Sequence, residues 1–406
     1  MSEKKDILII AHFCGDFDGK DNNRFHYLAK LLVENEFNVE LATSDFSHVR
    51  KAKRSSEDLE RLTYKVVYVT EPTYSKNVSL NRFYSHSILG LNMCRYLRNR
   101  KVPDAIYCAI PSLDVASAAA RYCHAQNIPF VIDVQDLWPE AFRMVVNTTL
   151  AEPIFYLMQR RADQIYSAAD GIVAVSQTYA TRALGVNKKC FKAHSVFLGT
   201  DLASFDRFAL QNPPAKHCLK PENEIWLAYA GTLGHSYDLA VVIDALAIVK
   251  QKGALNIRFI VMGDGPLKSK FERQAVLNDI NAVFTGRLRY DKLAGMLKAS
   301  DIAVNPISLG AAQSIINKHA DYAAAGLPVL NTQESLEYRA LVEKYQMGFN
   351  CSSNDSEALA KNLLTLCADT NLRKIMSRNS RRLAEELFDR GHTYQEIVAL
   401  IKSVSG

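Results

Sequence analysis

The sequence holds no CxxC pair and no cluster of cysteine with histidine. Its eight cysteines, at 14, 94, 108, 123, 190, 218, 351 and 367, are scattered singly. That spacing argues against a zinc site, and so few thiols in so long a chain argue against a disulfide framework. No metal and no cofactor are expected. No apolar run approaches the ~20 residues that cross a bilayer. The opening MSEKKDILIIAH has an apolar run too short for a secretory signal and no small-residue cleavage site behind it, so a cytosolic location is expected. GxGxxG is missing too: Gly15 and Gly19 do not make it, which leaves a dinucleotide cofactor with little support. No familiar nucleic-acid motif occurs.

What is present is ordinary soluble-protein material, 48% hydrophobic and 23% charged residues in 406, enough for two domains with sizeable cores. The net charge of +6 is unevenly placed, because residues 50 to 101 hold twelve Lys/Arg against four Asp/Glu. Such a segment attracts anionic lipid headgroups or is simply a solvated surface. Within it Phe83, Ile88, Leu89, Leu91, Met93 and Leu97 alternate with Arg95, Arg98 and Arg100, as on an amphipathic helix facing a membrane or a core.

Along the chain, buried-type strands alternate with helices. Asp6 to Ala11 reads as a strand, the loop HFCGDFDGKDNNRF follows, and a helix runs from about Arg24 to Glu36, then a second strand from Val39 to Ala42. This is a βαβ opening of the doubly wound kind, with its Gly-containing turn at the carboxyl edge where ligands bind. Asp16-Phe17-Asp18 has the look of a metal-binding DxD but fits ordinary loop chemistry better. Further strands at Val66 to Val69, Ala105 to Ala109, Phe130 to Val134 and Gly171 to Val175 carry the first domain to Leu198. A second series starts at Ile225. Two parallel sheets covered on both faces are therefore expected: an α/β chain of two Rossmann-like domains, 1–198 and 199–388, facing a central cleft. Residues 389–406 should form a helix crossing back to the first domain.

The stretch DIAVNPISLGAAQSIINKHADYAAAGLPVL, 301 to 330, is read as strand, Gly-containing loop, short helix to Ala325, Gly326 past its end, Pro328 and a further strand. Such a turn aims free backbone N–H groups and a positive helix end at one point, a seat for phosphate. Lys318 and Asp321 share a helical face and suit a diphosphate and a ribose diol, or else form an i, i+3 ion pair.

Five motifs in order, YAGTLG (229–234), MGDGP (262–266), VFTGRL (283–288), SDIAVNP (300–306) and NKHADYAAAGLPV (317–329), resemble the family 4 retaining glycosyltransferases of the GT-B fold. DVQDLWPEAF (133–142) resembles the subgroup that builds bacterial surface polysaccharides, O-antigen and capsule. The resemblance implies a sugar, an N-acetylated or deoxy hexose, moved with retention from a UDP-sugar to an acceptor, and the basic segment 50 to 101 leads us to expect that acceptor to be a lipid-linked saccharide on the inner membrane face. By the same resemblance the donor meets Gly15 and Gly19 in the first domain. In the second it meets Gly231, Thr232 and Gly263, and then Gly286, Arg287 and Leu288, where main chain reads a uracil edge.

The phosphate seat implied by the family is Ser314, Ile315, Ile316, Asn317 and Lys318, with Asp321 on the ribose. Where the family has a carboxylate against the donor sugar this chain has Gln313, and where it has a diphosphate-clamping Arg and Lys it has Thr232 and Tyr237. Lys318 is therefore the expected cation for the leaving group. Gln135 falls nearest a histidine of many relatives, and Asp136 could take or orient the acceptor's proton or merely cap a turn. Arg95, Arg98 and Arg100 are the expected acceptor and membrane contacts. The rival readings are a UDP-sugar 2-epimerase, which would turn over donor alone, and a noncatalytic sugar-nucleotide binding subunit.

Overall fold

The computed structural model describes residues 4–54, 59–76, 79–140, 152–214, 220–253, 256–311 and 315–406. The chain divides into two compact units, Met1–Phe197 with His392–Gly406, and Leu198–Gly391.

Unit 1 is built on seven parallel strands: β1 (Asp6–Ile10), β2 (Asn38–Ser44), β3 (Lys65–Val69), β4 (Ala105–Ile110), β5 (Phe130–Val134), β6 (Gly171–Ala174) and β7 (His194–Ser195). They lie in the order β3-β2-β1-β4-β5-β6-β7. Strands β4 and β5 are buried at every position, which is why they read as unbroken apolar runs rather than alternating ones. Helices α1 (Arg24–Glu34), α2 (Leu80–Asn99), α3 (Leu113–Gln126) and α4 (Glu152–Ala168) accompany the sheet. Asn23 starts α1 by accepting the N–H groups of Phe25 and His26, and Glu36 just past its end takes a left-handed φ of 66°. The sequence reading carried this helix to Glu36, two residues too far.

Unit 2 has six parallel strands: β8 (Ile225–Ala230), β9 (Ile257–Met262), β10 (Ala282–Gly286), β11 (Ile302–Asn305), β12 (Val329–Asn331) and β13 (Gly348–Asn350). Their order is β10-β9-β8-β11-β12-β13. Helix α5 (Tyr290–Ala299) precedes β11, and α6 (Asn317–Ala325) follows it. Gly326 ends α6 at φ 71°, the left-handed position expected from the sequence. In each sheet the strand order reverses beside the first strand, between β1 and β4 and between β8 and β11. Ligands of doubly wound sheets bind outside the carboxyl ends at that reversal.

The last helix, α7 (Gln395–Val404), belongs to unit 1. Tyr394, Ile397, Val398 and Ile401 are buried in the same core as Ile7, Ile9, Leu28 and Leu32. Neither β7 nor β13, nor the hairpin Phe46–Ser47 with Ala52–Lys53, is among the strands expected above. Segments of two or three residues carry too little periodicity to be read.

The stripe on α2 splits in two. Leu89, Met93 and Leu97 face the core, whereas Leu80, Tyr84 and Leu91 are exposed. Arg95 and Arg98 are exposed with them. Arg100 is not: its guanidinium is bound to Glu40 (3.0 Å) and Asp6 (3.3 Å) with a side chain only 10% exposed. The expectation that Arg100 joins a lipid-facing surface is therefore corrected. It is consumed tying the start of β1 to β2.

Candidate functional site

In unit 2 the reversal is occupied by the loop after β8 and the tip of α6. Gly231 leaves β8 at φ 146°, and its carbonyl passes so near Gly263 that a Cβ there would lie 1.8 Å from it. That approach is the reason for the first glycine in MGDGP. Lys318, second residue of α6, turns inward and is 7% exposed. Its Nζ stands 3.8 Å from the ring centre of Tyr237 and 4.5 Å from that of Tyr229, with no hydrogen-bond acceptor among the described residues. Burial pushes the Lys318 amine well below its ordinary pKa.

Asp321 does not pair with Lys318. Its Oδ1 accepts from the Tyr290 hydroxyl at 2.7 Å, and that hydroxyl lies 2.7 Å from Thr200 Oγ1. The carboxylate is 6% exposed, held inside unit 2. At the helix tip the Ile316 amide donates to His319 Nδ1 at 3.1 Å, and His319 stacks on Tyr338 with ring centres 3.7 Å apart. This removes the Ile316 N–H from the expected phosphate seat, because a side chain three residues on already satisfies it. Ile315 is buried and Asn317 exposed; Gln313 and Ser314 lie outside the described residues. Gly286 takes φ 72° at the end of β10, with Arg287 exposed and Leu288 half-buried beside it. Thr232 is exposed, and its carbonyl accepts the Tyr229 hydroxyl at 2.7 Å.

In unit 1 the carboxyl edge gathers residues the sequence reading passed over. His12, two residues beyond β1, sends Nε2 to Glu71 Oε2 (2.9 Å) and Nδ1 to Ser112 Oγ (2.9 Å), spanning the ends of β1, β3 and β4. Glu71 is fully buried and also accepts from Ser44 and Ser85. Burial alone would raise its pKa, but the hydrogen bonds from His12, Ser44 and Ser85 outweigh that and hold it below the ordinary value.

His86 lies edge-on to His12 and stacks parallel to Trp138, and burial, then His12 and Arg82, drive its pKa down to about 2. Two imidazoles and a carboxylate with ligand atoms within 4.8 Å of one another have the composition of a metal site. Here, though, His12 and Glu71 are bonded to each other, and His86 Nε2 accepts from Arg82 Nε at 3.4 Å, a cation where a divalent ion would want none. A signal for His12 was on the page: a histidine directly past the first strand of a βαβ unit sits where ligands bind.

The first-domain candidates are distributed differently from the expectation. Gln135 donates its amide to Asp133 Oδ2 (2.9 Å), which with Oδ1 holds the buried Arg24 (3.0 Å). Through that bond it supports a buried ion pair, a positioning role beside the catalytic one expected of it. Asp136 accepts the Leu137 amide on Oδ1 (3.0 Å) and Trp138 Nε1 on Oδ2 (3.3 Å). Burial nevertheless raises its pKa to about 6, into the range of a proton-exchanging group. Gly15 packs against Asn23 and Gly19 takes φ 71°. Arg54 binds the carbonyls of Cys14 and Gly15 and the carboxylate of Asp16, so the DxD-like loop is closed by an arginine.

Residues 224–369 match the family model described as "Glycosyl transferases group 1", about a third of the chain and all within unit 2. The chain is similar to the Anabaena protein Alr3699/HepE, solved in complex with UDP. The TM-score is 0.72 at 16% identity, over 98% of this chain and 100% of that one. That likeness establishes the fold, two Rossmann-like units of the GT-B glycosyltransferase kind. Among curated relatives it is 24% identical over 250 residues to the probable glycosyltransferase WbjE of Pseudomonas aeruginosa, 60% of this chain and 61% of that protein. It is 29% identical over 198 residues to a GDP-mannose-dependent alpha-(1-6)-phosphatidylinositol dimannoside mannosyltransferase of Mycobacterium tuberculosis, 47% of each. The aligned parts thus span less than two thirds of either relative.

Proposed function

We propose that the chain is a retaining glycosyltransferase. Unit 2 binds a nucleoside-diphosphate sugar, UDP-linked in preference to GDP-linked, and unit 1 receives a lipid-linked saccharide of bacterial surface polysaccharide synthesis. The observation that carries this reading is Lys318: a buried amine with no acceptor among the described residues, at the strand reversal of a doubly wound sheet. A diphosphate leaving an anomeric carbon gains negative charge, and a lysine already in place, its protonated form favoured by that neighbouring charge, stabilises it without reorganising. The UDP held by the Anabaena neighbour supports the choice of nucleotide.

In the proposed reaction the bond from the anomeric carbon to the diphosphate oxygen breaks as the acceptor oxygen bonds on the same face. The acceptor's proton passes to the departing phosphate. Asp136, as a group near pKa 6, orients the acceptor hydroxyl. Asp321 is assigned to the ribose, through the carboxylate that Tyr290 holds in place.

The test is a thermal-shift panel of UDP-, GDP- and dTDP-sugars on the full chain. A ligand at a hundred times its dissociation constant stabilises the form that binds it by about 2.7 kcal/mol. UDP-sugars should raise the melting temperature and the others should not. A panel with no shift removes the reading, and turnover of the donor without acceptor would show the epimerase instead.

A further inference from the structure

Lys318 is held in an unusual way for a buried cation. An ammonium withdrawn from water ordinarily lies against a carboxylate. The nearest acid on its own helix, Asp321, is turned to Tyr290, and Nζ meets two aromatic rings instead. The main chain of Gly231 closes a third side, since a Cβ there would come within 3.2 Å of Nζ. Ring faces attract a cation through their quadrupole yet accept no ordinary hydrogen bond, so the N–H groups of the amine stay uncommitted among the described residues. The Tyr229 hydroxyl is committed elsewhere, to the Thr232 carbonyl, which fixes that ring's orientation. Tyr237 stands five residues after Thr232, at one of the two positions where the resemblance expected a basic residue.

From this geometry we infer that Tyr229 and Tyr237 are positioning residues. They cage Lys318 so that its ammonium, delivered from α6, supplies the diphosphate contact missing at 232 and 237. The inference rests on the donor-site reading above and adds how the site is charged. The cage holds the amine in place before ligand arrives and leaves its hydrogen-bonding capacity for phosphate oxygens, whose negative charge favours the protonated form that burial disfavours. Gly231 is part of the device, because any side chain there would displace the amine.

The experiment is calorimetric titration of the full chain with UDP, at low and high ionic strength, on four variants whose fold is checked by near-ultraviolet circular dichroism. Lys318→Met should weaken UDP binding at least tenfold and flatten its salt dependence, since one charge contact is gone. Tyr237→Phe keeps the ring and should bind as the parent does. Tyr237→Leu removes the ring face and should cost about tenfold, in the range of a desolvated cation–π contact. Lys318→Met combined with Tyr237→Lys should recover part of the affinity, the cation now arriving from the loop.

If Lys318→Met leaves UDP affinity unchanged, the donor-site reading itself falls. If it weakens binding while Tyr237→Leu behaves like Tyr237→Phe, the donor site stands and the cage is overturned. A double variant no better than Lys318→Met alone would likewise count against the exchange of positions.

Discussion

At the scale of single residues, the two units treat buried charge in opposite ways, and that difference marks what each charge is for. Arg24 and Asp133 are both almost wholly buried and bound to one another at 3.0 Å, with Gln135 and the Tyr394 ring completing the surroundings. Removing one member leaves the other charge stranded, so Arg24→Met should destabilise unit 1 by about 3–5 kcal/mol in urea unfolding. Loss of less than 1 kcal/mol would show that the pair carries no such weight.

Asp136 differs because its pKa is raised, to about 6, by burial. Folding then favours the protonated acid: its contribution is fully present below the unfolded value near 4 and is lost as pH rises through about 6. The melting temperature of the parent, measured against Asp136→Asn, should therefore fall between about pH 4 and pH 7. A flat difference would mean that the carboxylate is not desolvated.

At the scale of elements, much of the architecture was legible and much of the site was not, for one reason. A parallel strand buried on both faces writes itself as a short apolar run, and a helix end writes itself as a glycine, so β1, β5 and Gly326 could be read locally. The site is made by contacts between distant residues. His12 meets Glu71 across 59 residues and Ser112 across 100. Tyr229 and Tyr237 lie some eighty or ninety residues before the lysine they enclose. Arg100 seemed a surface cation because its partners Glu40 and Asp6 are on strands that only the sheet brings near it.

Glycines separate in the same way. Gly263→Ala places a Cβ 1.8 Å from the Gly231 carbonyl and should abolish UDP binding through a displaced β8 loop. Gly19→Ala, at φ 71° with nothing within 4 Å, should cost only about 1–2 kcal/mol and leave binding intact. Titration of both variants shows whether close backbone approach at Gly263 matters to binding more than a left-handed backbone at Gly19.

At the scale of the whole molecule, the chain ends where it began, in unit 1. Four side chains from the final segment, Tyr394, Ile397, Val398 and Ile401, are at most 2% exposed in a core otherwise built from residues before 197. Burying side chains of this size contributes about 1.5–3 kcal/mol each, so together they match the roughly 5–15 kcal/mol by which a domain is stable. A chain stopped at Gly391 keeps all of unit 2 and strips unit 1 of one wall of its core. The expected result is a protein that has lost one cooperative melting transition, binds a hydrophobic dye, and still titrates with UDP through Lys318. If truncation left both transitions in place, α7 would be dispensable packing. If it abolished UDP binding as well, the two units would not be separable in stability, because the four buried side chains removed pack in the core of the first.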